Sequence, residues 1–145
     1  MATISAPLGS ASNAPISNMF DGNNATIWHS LNTIFGNKFV VRFHFPIMFS
    51  KLVIRTRQGT SYLLAKYSRY ESVCLYLNDI FQNCGATIGL YGPDDDGQPE
   101  TLEWITPCTP VRKITLSWET TEYENVAQIA RLWIHYAAIG IFMII

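Results

Sequence analysis

Charge is scarce in this chain. Only 14% of its 145 residues are Asp, Glu, Lys or Arg, and ten basic against eleven acidic residues leave a net charge of −1. A nucleic-acid binder needs a basic excess or stripe; none is present, so no nucleic-acid partner is expected. Long hydrophobic runs are missing too. The apolar tail "AAIGIFMII" has nine residues, against about 20 for a helix that spans a bilayer. It reads as a last strand, a sticky interface or a truncated membrane segment. The N-terminus lacks a charged stretch followed by an apolar run, so no signal peptide is visible. The chain is expected to be part of a larger protein.

The usual chemical signatures are absent as well. There is no Gly-rich phosphate loop, no metal-ligand spacing and no nucleophile–base pairing. His29, His44 and His135 are scattered over a loop and two strand-like runs. The expectation is that the chain is not an enzyme. No window shows a long helical period either.

What is present is apolar and aromatic residues, 48% and 13% of the chain, ample for one domain with a core. Phe39, Val41, Phe43 and Phe45 alternate with Val40, Arg42 and His44, which is strand periodicity. Pro46, with no N–H for a ladder, is expected to end that run. Leu52, Ile54 and Thr56 alternate with Val53, Arg55 and Arg57 in a second strand, and "YESVCLYLND" is a third. Two more place Ile114, Leu116 and Trp118 on one face, and Leu132, Ile134 and Tyr136 on another. "GPDDDGQPE", with Asp94–Asp96, is a surface loop. Short strands separated by turn signals predict an antiparallel β-sandwich. Residues 1–15 read as a lead-in segment, 16–136 as the sandwich and 137–145 as the tail.

Cysteine is rare and odd in number, so three residues cannot all pair internally. Cys74 and Cys84 flank the turn-forming pair Asn78-Asp79. A three-residue loop Asn78–Ile80 puts Leu77 opposite Phe81 and, counting outward, Cys74 opposite Cys84. Opposed residues have Cβ atoms about 4.5–5.5 Å apart, close to the roughly 3.8 Å of a disulfide. A Cys74–Cys84 bridge is therefore expected, and with it an oxidising compartment. Cys108 is left as a buried thiol or the partner of a segment outside this chain.

"NMFDGNNATIWHS", the Arg-ended strand "KLVIRTR", "RYESVCLYLND" and "IARLWIHY" together resemble a discoidin (coagulation-factor type C) domain. They are similar also to F-type fucose-binding lectins and bacterial carbohydrate-binding modules, all galactose-binding-like jelly rolls. The resemblance covers about Ile16 to Tyr136. Its most specific stretch is Asp21, Gly22, Thr26, Trp28 and Ser30. It implies a jelly-roll sandwich whose loops at one end bind a sugar, a lipid head group or a protein. The expected function is a non-catalytic glycan-binding module, with a fucose- or galactose-containing ligand. The alternative is an adhesion module for a protein or membrane surface. Either implies an extracellular or cell-surface location.

The resemblance also implies site residues. In many relatives the Asp-Gly loop holds calcium, and Asp21, Asn23, Asn24 and Thr26 carry suitable oxygens here. Calcium-binding relatives complete that site with a Glu after an Ala; here Arg131 follows Ala130. The loop is thus expected to be held either by calcium or by its own hydrogen bonds. The lectin branch places a His and two Arg on the sugar, which correspond to His29, Arg57 and Arg69, with Tyr62 available for stacking. A guanidinium suits adjacent sugar hydroxyls because its planar fork donates parallel hydrogen bonds.

Overall fold

A computed structural model describes residues 2–32, 34–57, 73–87, 101–119, 127–138 and 141–144. The strands are β1 (Ala2–Ser5), β2 (Trp28–His29), β3 (Asn37–Thr56), β4 (Val73–Leu77), β5 (Ile80–Cys84), β6 (Ala86–Thr87), β7 (Thr101–Trp118), β8 (Gln128–Ala138) and β9 (Ile141–Ile144). One turn of 3₁₀ helix, Ile16–Phe20, precedes β2. Every strand pairing is antiparallel.

Two strands are too long to lie in one layer. The 20 residues of β3 would extend about 66 Å at 3.3 Å per residue, whereas a compact chain of this length has a radius of gyration of about 15 Å. β3 and β7 therefore cross from one layer to the other. The first half of β3 and the second half of β7 lie beside β1, β4 and β5; the other halves lie beside β8 and β6. β2 and β9 both pair with β8. The result is a jelly-roll β-sandwich.

The crossing explains two departures from the sequence expectations. The β3–β7 ladder jumps from Arg42↔Lys113 to Ile47↔Val111, so Pro46 sits where no ladder partner needs its missing N–H. It interrupts pairing without ending the strand. Phe39, Val41 and Phe43 point inward, but Phe45 falls in this irregular segment and stays 46% exposed.

Elsewhere alternation maps onto burial as expected. Ile114, Leu116 and Trp118 from one layer meet Leu52, Ile54, Leu132, Ile134 and Tyr136 from the other. Trp28 closes one end of this core, edge-on to Phe39 and Trp118 at 5.9 and 5.8 Å, with its indole N–H donating to Ser10 Oγ at 3.0 Å. Buried indoles ordinarily find such a partner. Trp104 is buried and donates to the Val73 carbonyl oxygen, while Trp133 lies on the outer face under the Arg131 guanidinium.

The Cys74–Cys84 disulfide is formed, and Cys108 is free and exposed rather than buried. The hairpin that carries the bridge differs from the expected one. Asn78 and Asp79 both adopt positive φ, 51° and 68°, and make a two-residue turn with Leu77 opposite Ile80. Such turns match the twist of paired strands, and Asn and Asp tolerate them. Gln82 is then bulged out, so Leu75 still faces Asn83 and Cys74 still faces Cys84. A shorter turn and one extra residue cancel.

Candidate functional site

The end of the sandwich capped by Trp28 is where the chemistry gathers. Trp28 pairs with Ile129 across the β2–β8 ladder, and both are buried. Alternation sends the next pair, His29 and Gln128, to the opposite face. Between Arg55 and Thr56 the β3–β8 register shifts, leaving Ala130 as an extra residue on β8. Bulges re-aim the side chains beyond them. Beyond this one, the Arg57 amide donates to the Gln128 carbonyl oxygen at 3.0 Å, and Arg57 Nη1 donates to Gln128 Oε1 at 3.1 Å. His29, Gln128 and Arg57 thus form a row across three neighbouring strands.

His29 is set by its own hydrogen bond. Nδ1 lies 2.6 Å from the Ser30 carbonyl oxygen. A carbonyl only accepts, so Nδ1 carries a proton, and in the neutral tautomer that this contact selects the lone pair lies at Nε2. The row therefore offers an acceptor on His29, amide hydrogens on Gln128 and a guanidinium on Arg57. That mixture suits a polyol, whose hydroxyls both donate and accept. Of the candidates named from the sequence, the structure places His29 and Arg57 on either side of Gln128, a residue that sequence reasoning did not name. An uncharged amide at a strand start belongs to no motif; the one signal was its place opposite the residue after a buried Trp. Arg69 and Tyr62 lie outside the described residues.

The loop before β2 is wired internally. Asp21 Oδ1 accepts the Asn23 amide at 2.8 Å, and Asn23 Oδ1 accepts the Ala25 amide at 2.9 Å. The Thr26 hydroxyl donates to Asp21 Oδ2 and lies 3.0 Å from the Asn23 carbonyl oxygen. Gly22 supplies a φ of 76° that a side chain would resist. Asn18 Nδ2 ties the loop to the Ile27 carbonyl oxygen at 2.8 Å. The short polar residues before Trp28 thus fold a tight cap over the core. The Thr26 hydroxyl, the Asn23 amide and the positive charge of Arg131 hold the Asp21 carboxyl below the usual carboxylate range.

This donor set fits calcium poorly. Calcium takes six to eight oxygens. Asp21 is the one carboxylate of the loop, both its oxygens already accept hydrogen bonds, and Arg131 acts on it as a cation would. Asn23, Asn24 and Thr26 add oxygens but no charge. Among the described residues no three His, Cys, Asp or Glu side chains cluster as metal ligands, and no helix is long and apolar enough to cross a membrane.

No family model and no curated protein matches the sequence. Solved structures do. One comprises the CBM32-1 and CBM32-2 domains of Clostridium perfringens ZmpB in complex with GalNAc. It superposes with a TM-score of 0.65 at 17% identity over 94% of this chain. Its fold is that of the CBM32 domains. The family 32 module of C. perfringens NanJ, in complex with galactose, gives 0.59 at 15% identity over 92% of this chain and 91% of its own. The CBM32-1 domain of a family 31 glycoside hydrolase from C. perfringens gives 0.63 at 14% identity, with 94% of each chain covered. Against the two-domain ZmpB structure this chain spans about a third of the length, 34%. These are galactose-binding-like jelly rolls. At 14–17% identity the likeness shows the fold that the sequence resemblance implied.

Proposed function

We infer that this chain is a non-catalytic carbohydrate-binding module that holds a galactose-configured sugar at the His29–Gln128–Arg57 end of the sandwich. The observation that carries the reading is the row itself, with Arg57 seated on Gln128 at 3.1 Å beside the proton-fixed His29. Support comes also from the ZmpB and NanJ modules of this fold, which are in complex with GalNAc and with galactose. A galactose-type ligand is preferred to fucose on that ground. Arg69 as a second guanidinium and Tyr62 as a stacking ring complete the proposed site. The Cys74–Cys84 bridge favours an extracellular or cell-surface setting within a larger protein.

Titration calorimetry with galactose and GalNAc tests this. Hydrogen bonds to a charged group contribute about 1.5–3 kcal/mol, so Arg57→Ala and Arg69→Ala should each weaken binding roughly ten- to a hundredfold. Arg42→Ala, in the other layer, should leave galactose affinity unchanged. Wild-type affinity in both the Arg57 and Arg69 variants would move the site elsewhere. No glycoside should be hydrolysed. The adhesion reading keeps one observation in its favour: Leu31 and Ile34, just past His29, are 56% and 50% exposed. Binding to vesicles that is lost in Leu31→Ser would promote it.

A further inference from the structure

The outer face of the first layer has a cleft of about 650 Å³, within the roughly 300–1,000 Å³ typical of ligand pockets. An outward sheet face is ordinarily wet. Here its central residues, Val40, Thr115 and Ser117, are only 4%, 7% and 5% exposed, because higher walls stand around them. Strand register orders the lining into three rungs: Lys38 opposite Ser117, Val40 opposite Thr115, and Arg42 opposite Lys113. Lys38 and Arg42 stand four residues apart on one strand, which is about 13 Å. Phe35, 58% exposed, stands at one end, and Tyr76 flanks the middle.

The charges in the cleft are unevenly committed. Lys113 is paired with Asp79 at 2.7 Å, and Glu119 accepts the Tyr76 hydroxyl at 2.8 Å. Lys38 and Arg42 have no ion-pair partner among the described residues, although both act electrostatically on Asp79. A chain with a net charge of −1 thus concentrates unpaired positive charge in one walled cleft.

We propose that this cleft is a second binding site, for an extended anionic glycan bearing carboxylate or sulfate groups. Two cations carried on backbone positions about 13 Å apart can each meet a different anionic group along a polymer. Between them Thr115 and Ser117 line the floor, and the exposed Phe35 at one end gives an aromatic surface on which a sugar can stack. The carboxylates of Asp79 and Glu119 choose between polyanions. They can accept hydrogen bonds from sugar hydroxyls, which a DNA backbone does not offer. The cleft is lined from the layer of β1, β4 and β5, whereas His29 lies on β2 and Arg57 just past β3 beside β8, so the two sites share no residue and separate variants test them.

The test is affinity for heparan sulfate, hyaluronan and an oligothymidylate, anionic polymers whose repeats hold no galactose-configured sugar, with galactose measured in parallel. Wild type should bind heparan sulfate, and hyaluronan as well if carboxylates suffice; binding should weaken as salt is raised. Lys38→Ala/Arg42→Ala should lose at least about tenfold in affinity for the anionic glycan while galactose binding and melting temperature stay as in wild type. Arg57→Ala should leave glycan affinity unchanged. The proposal is overturned by no binding to either glycan, by undiminished affinity in the Lys38/Arg42 variant, by loss in Arg57→Ala, or by oligothymidylate binding as tightly.

Discussion

Removing the Cys74–Cys84 bridge gives the sharpest check on how the first layer is held. The two cysteines are separated by ten positions. Constraining a loop of that size in the unfolded chain removes an entropy worth about 2.7 kcal/mol at 25 °C on the loop-closure relation. For a domain near 150 residues, each kcal/mol moves the melting temperature by roughly 2–4 °C. Cys74→Ala/Cys84→Ala should therefore melt about 5–10 °C below the oxidised wild type by scanning calorimetry. The native hairpin should survive. Its turn is fixed by Asn78, whose side-chain oxygen accepts the Arg112 and Lys113 amides at 2.9 and 3.2 Å. Tyr76 and Phe81 also keep their edge contact at 5.8 Å. Because the effect lies in the unfolded ensemble, the urea m-value should rise as the uncrosslinked chain exposes more surface. A melting temperature within a degree or so of wild type would refute the loop-closure reasoning. A drop with an unchanged m-value would relocate the effect to the native state. In the wild type, Cys108 alone should react with iodoacetamide under non-reducing conditions.

Four further outcomes are expected. Arg57→Lys should lose sugar affinity nearly as fully as Arg57→Ala in calorimetry, because an ammonium cannot reproduce the guanidinium fork; full retention would mean that charge alone matters. Donation to Glu119 pushes the Tyr76 phenol up to about 12. In ultraviolet titration Tyr76 should therefore ionise well after the ordinary value of about 10, as should Tyr136, which burial also pushes up, and Glu119→Gln should bring down the Tyr76 step alone. A raised folded-state pKa means that this contribution to stability is complete below about pH 10 and disappears as pH rises through about 12. The Asp21 carboxyl is shifted down, so its support of the loop is present above the ordinary carboxylate range and is lost as pH falls below it. Adding calcium or chelator should leave the melting temperature unchanged, and a calcium-dependent rise would show that the loop takes the ion despite Arg131.

Much of the fold was legible because alternation reports which face of a strand is buried, and burial is what these strands share. Phe39, Val41, Ile114, Leu116, Leu132 and Ile134 all sit inward as their spacing requires. Alternation is silent on how strands are joined across layers. Nothing in "RFHFPIMF" announces that the chain changes sheet there, so Phe45 reads as core and Pro46 as a terminus. Both readings fail for one reason, a ladder that skips between Arg42 and Ile47. The disulfide was found through a wrong turn. Two errors of one residue, in loop length and in the unseen bulge at Gln82, offset each other.

The site was less legible for the same physical reason. His29 and Arg57 carry chemistry in their residue types, so a resemblance could point to them. Their juxtaposition depends on Gln128 and on the bulge at Ala130, and a bulge has no reliable residue signature. The outer cleft was invisible altogether. Lys38, Arg42 and Lys113 read singly as solvated strand residues, because their spacing along two strands says nothing of a wall. They become a candidate site only when register sets Arg42 against Lys113 and Lys38 against Ser117 over a floor that water barely reaches. The same scarcity of charge that argued against nucleic acid gives that local surplus its weight. In a chain so poor in charge, two neighbouring cations without ion-pair partners among the described residues are not explained as part of a generally solvated surface.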